Sequence, residues 1–322
     1  MKQLRGSLAV PVTILSLAVT SLSARSEMSP QLQGQASAII TVLPSRPSEQ
    51  LVPFTAHNIR LLKVEGKEAT VKDISSLRNG PVELVFLIEP AARLSFSTQL
   101  NEFTKFINEP PPHTRIAVAY MMDGRADFAT PLFSNPAAAV QAMRLPAGPR
   151  DAIASPYICI SNLAKNWPSQ DPTARREVLL ITDGIDDYSP AYDPDDPYVQ
   201  AAIADSVRAH IILNAIFWRD QSRVARSGWG ENTGQSLLSE LTESTGGINF
   251  WKGFGSPVTV APYLRQLREM LADQYLLSFT APIPNKQNKA EVHRLQIKLA
   301  VPAAKVISPQ LVVLEPVNAP RP

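Results

Sequence analysis

Two stretches of the chain are apolar almost without a break. Residues 82–88 read Val-Glu-Leu-Val-Phe-Leu-Ile and run into Glu89; residues 178–181 read Val-Leu-Leu-Ile and run into Thr182-Asp183-Gly184. Strands this apolar, separated by helical segments, belong to the interior of a parallel sheet covered on both faces. Ligands of such sheets sit beyond the carboxyl ends of the strands. Glu89 and Asp183 are therefore expected to meet at one edge.

Between and beyond these strands the polarity pattern alternates in period. Phe96, Leu100, Phe103 and Ile107 recur at helical spacing until Glu109-Pro110-Pro111-Pro112 stops them. Residues 115–121 form the next strand, Asp123-Gly124 a tight turn, and 125–132 a returning antiparallel edge strand. Asn135 is placed to cap a short helix that Pro136 opens. Helices are predicted over 153–165, with Pro156 as a weak point, and over 198–210, 235–245 and 257–273. Gly246-Gly247 ends the third of these. Buried strands are predicted at 177–182 and 211–217, and a short one at 248–251.

The two ends read differently. Residues 36–43, 59–64 and 67–71 have strand character, the last two flanking a Glu65-Gly66 hairpin turn, and so do 275–280, 292–301 and 310–314. The terminal strands either pair with each other or extend the main sheet. The predicted fold class is α/β: a doubly wound, mostly parallel sheet flanked by helices, with extra N- and C-terminal β strands. The segments are 1–24, a signal peptide; 25–80, an N-terminal β segment; 81–274, the α/β domain; and 275–322, a C-terminal β extension.

The first segment is an address. Lys2 and Arg5 precede an apolar run over 8–22, the length of a signal-peptide core and short for a membrane span; Ser21 and Ser23 suit cleavage after Ser23 or Ala24. The expected location is secreted or periplasmic, with no stable membrane span after cleavage; an uncleaved anchor is the alternative. Cys159 is the only cysteine, in an apolar setting, so no internal disulfide forms and the thiol is read as structural.

Composition narrows the function. With 44% hydrophobic residues the chain can bury a core, and a net charge of +2 with no basic run excludes a nucleic-acid partner on electrostatic grounds. Histidines match no metal-ligand spacing, and neither His-Glu-x-x-His nor Gly-x-Ser-x-Gly occurs. No glycine lies within 89–93, so no phosphate-cradling loop follows the first strand.

The ordered set of segments resembles a von Willebrand factor type A domain, specifically the secreted VWFA-related proteins of acidobacteria. The residues that carry this are 96–107, Ala154-Ser155-Pro156-Tyr157, Arg175 to Asp187, Asp196-Pro197-Tyr198-Val199, Gly253-Phe254-Gly255-Ser256-Pro257 and Gln274-Tyr275-Leu276-Leu277. The resemblance implies a Rossmann-like fold and a metal-ion-dependent adhesion site at which Mg²⁺ takes hard oxygen ligands and leaves one position for a partner's carboxylate. It implies protein binding and no catalysis. Matched onto this chain, the first-strand Asp position is Glu89 and the two hydroxyl positions are Ala91 and Arg93. The later Thr is unassigned, with Asp151 and Ser155 in its region, and Asp183 alone matches. The site is therefore read as degenerate, with no cofactor expected. Arg93 either stands in for the cation, by bidentate hydrogen bonding to carboxylates, or faces solvent.

Two further features carry open readings. Asp183, Asp186, Asp187, Asp193, Asp195 and Asp196 crowd one loop, which is read as solvated with a helix cap at Asp195 or Asp196 in preference to a Ca²⁺ site. Trp218, Arg219, Arg223 and Trp229 form a candidate partner surface, with core packing as the alternative for the aromatics. The preferred function is an interaction module whose partner is another protein. The alternatives are an extracytoplasmic enzyme using the carboxylates of Glu89, Asp183 or Asp151, and an envelope-assembly accessory.

Overall fold

The computed structural model describes residues 32–46, 53–89, 96–132, 135–143, 155–186, 188, 193, 195–219, 228–284 and 289–317. In chain order the strands are β1 (Gln33–Pro44), β2 (Ile59–Val64), β3 (Lys67–Glu68), β4 (Thr70–Ser76), β5 (Val82–Ile88), β6 (Thr114–Met122), β7 (Arg125–Phe128), β8 (Arg175–Thr182), β9 (Ile211–Phe217), β10 (Gln274–Pro282), β11 (Glu291–Leu299), β12 (Ala304–Ile307) and β13 (Leu311–Pro316). The helices are α1 (Leu100–Asn108), α2 (Pro136–Ala142), α3 (Pro156–Lys165), α4 (Pro197–Arg208), α5 (Gly228–Thr245) and α6 (Ala261–Ala272).

Among the described residues these strands make two sheets. One has five strands in the order β7-β6-β5-β8-β9, all parallel except the β6–β7 hairpin. Every residue of β5 and β9 is buried, as two-sided coverage demands. On one face α1 and α6 pack Phe103, Phe106, Leu264 and Leu267 against Leu84, Phe86 and Ile88. Phe86 meets Phe103 and Phe106 edge-on at 5.7 and 5.8 Å. On the other face α3, α4 and α5 pack Ile160, Ile203 and Leu238 against Val85, Leu87 and Leu180.

The second sheet is larger, eight-stranded and antiparallel throughout, in the order β3-β2-β11-β13-β1-β10-β4 with β12 beside β1. It decides between the two arrangements open to the terminal strands, which do not extend the parallel sheet, and it makes the larger of the two sheets antiparallel where the expected main sheet was mostly parallel. The N- and C-terminal segments pair with each other: β1 runs against β10 from Gln33↔Pro282 to Thr41↔Gln274. Alternation along these strands puts Ile40, Val42, Leu277 and Phe279 into a core of their own.

Helix starts follow local chemistry. Asn135, Ser155 and Asp196 cap α2, α3 and α4, each with proline in the first turn. The helix expected from residue 153 thus begins at Pro156, which opens it instead of weakening it. The α5 helix begins at Gly228, seven residues before the expected start at 235, and holds Gly230 and Gly234 within it, residues that disfavour a helix on propensity alone. No helix of the described residues is long and apolar enough to cross a membrane. The apolar run at 8–22 lies outside the described residues.

Candidate functional site

Strands β5 and β8 are parallel neighbours in the register Val82↔Arg175 to Ile88↔Ile181. One step further, Glu89 lies beside Thr182 and Asp183 at the carboxyl rim. The Glu89 N–H donates to the Ile181 carbonyl at 2.9 Å. Glu89 Oε2 accepts from the Thr182 hydroxyl at 2.6 Å and from the Asp183 N–H at 3.1 Å. The hydroxyl in turn accepts from the Gly184 N–H at 3.0 Å. Asp183 Oδ1 accepts from the Ile185 N–H at 2.9 Å. Glu89 and Asp183 are only 2% and 3% exposed, so these bonds form where solvent competes little and the carboxylates gain from each one.

The turn after Thr182 is shaped by glycine. Gly184 has φ +66°, and a Cβ there would come within 2.6 Å of Leu238 Cγ and 2.7 Å of the Gly234 carbonyl oxygen. A Cβ on Gly234 would sit 2.0 Å from the Asp183 carbonyl oxygen. Helix α5 therefore presses its backbone directly onto the Asp183-Gly184 turn, which explains a glycine inside a helix that reaches further than its apolar pattern.

Tyr157 completes the rim. Ser155, fully buried, caps α3 by accepting from the Tyr157 N–H at 3.3 Å, and the Tyr157 hydroxyl donates to the Gly184 carbonyl at 2.7 Å. Burial pushes the Tyr157 phenol well above its ordinary pKa, with Asp183, Asp186 and Glu89 adding to the effect. Asp186 is buried, with Oδ1 accepting from the Tyr188 N–H at 2.9 Å. Cys159 donates to the Arg125 carbonyl at 3.4 Å, and burial, with Glu89 nearby, raises its thiol to about 12. At that value it is no nucleophile.

The structure thus brings Glu89, Asp183 and Ser155 to one rim. Ala91, Arg93, Asp151 and Arg223 lie outside the described residues, as does the side chain of Trp229. Trp218 corrects the expected partner surface: it is 1% exposed and packs edge-on against Phe96 at 5.8 Å. Its backbone N–H donates to the Thr182 carbonyl at 2.8 Å. Arg219 is half-buried, its N–H donating to Ser256 Oγ at 3.1 Å. Thr182, Tyr157 and Asp186 were not singled out as site residues. Their side chains bond to backbone groups at the turn, of Gly184 for Thr182 and Tyr157 and of Tyr188 for Asp186, and a backbone partner leaves no trace in residue type. In the acidic loop, Asp196 caps α4 through the Tyr198 and Val199 N–H groups at 2.8 and 3.3 Å.

The donor set does not fit an intact Mg²⁺ cradle. Ala91 carries no oxygen and Arg93 only donors, while the Thr182 hydroxyl is turned into Glu89. Among the described residues no three His, Cys, Asp or Glu side chains are grouped to hold a metal ion. The chemistry of this edge is that of a buried acidic cluster tied to backbone donors. A cleft of about 500 Å³ is found elsewhere, at the opposite end of β8 and β9.

No protein-family model and no curated protein matches this chain. Similar solved structures include an aerotolerance-related membrane protein from Bacteroides fragilis NCTC 9343, at 14% identity and TM-score 0.42, covering 59% of this chain and 98% of that one. The conserved hypothetical protein BatB from Bacteroides thetaiotaomicron is 12% identical with TM-score 0.44, covering 60% and 98%. Manganese-loaded TRAP protein from Plasmodium vivax is 12% identical with TM-score 0.40, covering 74% and 97%. Scores this low assign no property of those proteins to this chain.

Proposed function

We propose that this chain is an extracytoplasmic, non-catalytic protein-interaction module of the type A kind, whose partner-binding edge is the rim holding Glu89 and Asp183. The observation that carries the reading is the shared hydrogen bonding of Glu89 with Thr182 and Asp183 across two adjacent parallel strands. Two buried carboxylates side by side favour a nearby positive charge. By the match to the resembled motif alone, we assign that role to Arg93, at its second hydroxyl position, in place of a divalent ion. Phe254 and Val258, 84% and 93% exposed, extend the contact surface on the loop that Ser256 joins to Arg219.

Two measurements test this. Pull-down from the native envelope should recover a protein that an Asp183→Asn, Phe254→Ala variant of unchanged fold fails to recover; equal recovery by both would move the partner to another surface. Restoring the motif chemistry with Glu89→Asp, Ala91→Ser and Arg93→Ser together should create Mg²⁺ affinity visible by titration calorimetry. A silent titration of the folded triple variant counts against Arg93 as the substitute cation.

A further inference from the structure

The strongest unassigned feature is the cleft of about 500 Å³ between the amino-terminal edge of the five-stranded sheet and the outer face of the antiparallel sheet. The two layers are braced around it. On one flank Gln274, opening β10, bonds to Glu177 of β8 at 2.7 Å and accepts from Arg175. On the other, Val199, Ile203 and Val207 of α4 share a core with Val313 of β13. The gap is therefore held open by contacts on both sides, and its size lies within the range of roughly 300–1,000 Å³ usual for small-ligand sites.

Its walls have a definite chemistry. Ile39, Leu77, Val207, Ile211, Leu276 and Leu311 make them aliphatic, and among the described residues no Phe, Tyr or Trp lines the space. Ile39 and Leu276 are only half-buried, although they lie within paired strands, and so is Leu311 at the start of β13. Four titratable groups are present: Arg175, Arg176, His210 and Asp171. Asp171 is engaged by Arg115 at 3.0 Å and by the Thr173 hydroxyl at 2.7 Å. Burial holds the His210 imidazole below its ordinary value, which disfavours its charged form. Arg176 donates to the carbonyl oxygens of Ala209 and Ser169 at 3.3 and 3.5 Å. Arg175 donates to those of Leu271 and Gly80 at 3.0 and 3.4 Å, and to the Gln274 amide oxygen. Neither guanidinium hydrogen-bonds a carboxylate among the described residues; Arg175 lies within the electrostatic reach of Glu177, which leaves Arg176 as the lining cation with no carboxylate hydrogen-bonded to it there.

We infer that this cleft is a binding site for a small amphipathic carboxylate, with an aliphatic chain against Ile39, Leu276 and Leu311 and its carboxylate on Arg176. A planar carboxylate suits the guanidinium fork, and a flexible chain suits walls that offer no ring to stack on. The site is independent of the rim at Glu89 and Asp183, so either assignment can fail alone.

The test is titration of the full chain with dodecanoate and, as the uncharged probe, dodecanol. Wild type should bind dodecanoate at least about tenfold more tightly than dodecanol, the size of one charge-assisted hydrogen bond. Arg176→Gln should erase that preference while leaving dodecanol binding unchanged. Ile39→Trp, which fills the cleft from a half-buried position, should weaken both probes by more than about tenfold, with folding checked by circular dichroism. Equal affinity for the two probes in wild type, absence of dodecanoate binding, or binding that survives Ile39→Trp would each overturn the assignment. The probe comparison needs no variant, so a variant that fails to fold does not shield the proposal.

Discussion

Strand β8 carries a buried acidic network near each of its ends, and the two are built from different materials. At the carboxyl end, Glu89 is held by a neighbouring hydroxyl and a backbone N–H, and the turn is pinned by close backbone packing of α5. At the amino end, Glu177 is fully buried and accepts from two side-chain amides, Gln274 at 2.7 Å and Asn214 at 3.0 Å. Arg175 is hydrogen-bonded to Gln274 and acts on Glu177 through its charge. Burial raises Glu177 to about 7, against the pull of Gln274, Arg175 and Asn214. The first network orders one rim of one sheet. The second joins two sheets, and does so with a group that titrates near neutrality.

The contrast can be broken most forcibly at the rim. Gly234→Ala puts a Cβ 2.0 Å from the Asp183 carbonyl oxygen, a backbone clash that cannot be relieved by a rotamer. Destabilisation of about 3 kcal/mol or more is expected from urea unfolding; a change below about 1 kcal/mol would mean that α5 does not press on the turn as described.

At the other end the signature is pH dependence. The ordinary value of the Glu177 carboxyl is 4.5 and its folded value about 7. Between the two, the folded chain keeps a proton that the unfolded chain has released. Stability therefore falls as pH rises through that window and levels off above it, by something on the order of 3 kcal/mol for this group. Glu177→Gln should remove that slope from urea midpoints measured across the window. An unchanged slope would assign it to another group.

A milder change sharpens the comparison. Thr182→Val keeps the shape and removes one hydroxyl, taking the acceptor from the Gly184 N–H and one donor from Glu89 Oε2. A loss of about 2 kcal/mol is expected by thermal or urea unfolding, with the pH slope of Glu177 untouched.

How much of this was legible depended on how local the determinants are. The unbroken apolar runs at 82–88 and 178–181 marked β5 and β8 as interior strands, and the residues that follow such strands fall at the carboxyl rim whatever the details of packing. That is why Glu89 and Asp183 are found side by side. Asn135 and Asp196 were readable as caps, because a cap is chemistry within three residues; Ser155 was read as a site residue and its capping role was missed. Tyr157 was not, since its hydroxyl acts on a carbonyl 27 residues away. Gln274 fell between a predicted helix and a predicted strand, and nothing in its surroundings announced a bond to Glu177.

By itself, then, the amino-acid order determined which segments are strands and helices, which strands lie inside, and which side chains stand at strand ends, because periodicity and capping are short-range. Tertiary structure alone decided that the two chain termini build a separate antiparallel sheet, that Trp218 is interior, and that a cleft with two guanidinium groups remains between the layers. Those outcomes depend on which distant strands share a hydrogen-bond register and how two finished surfaces meet, and no local pattern encodes either.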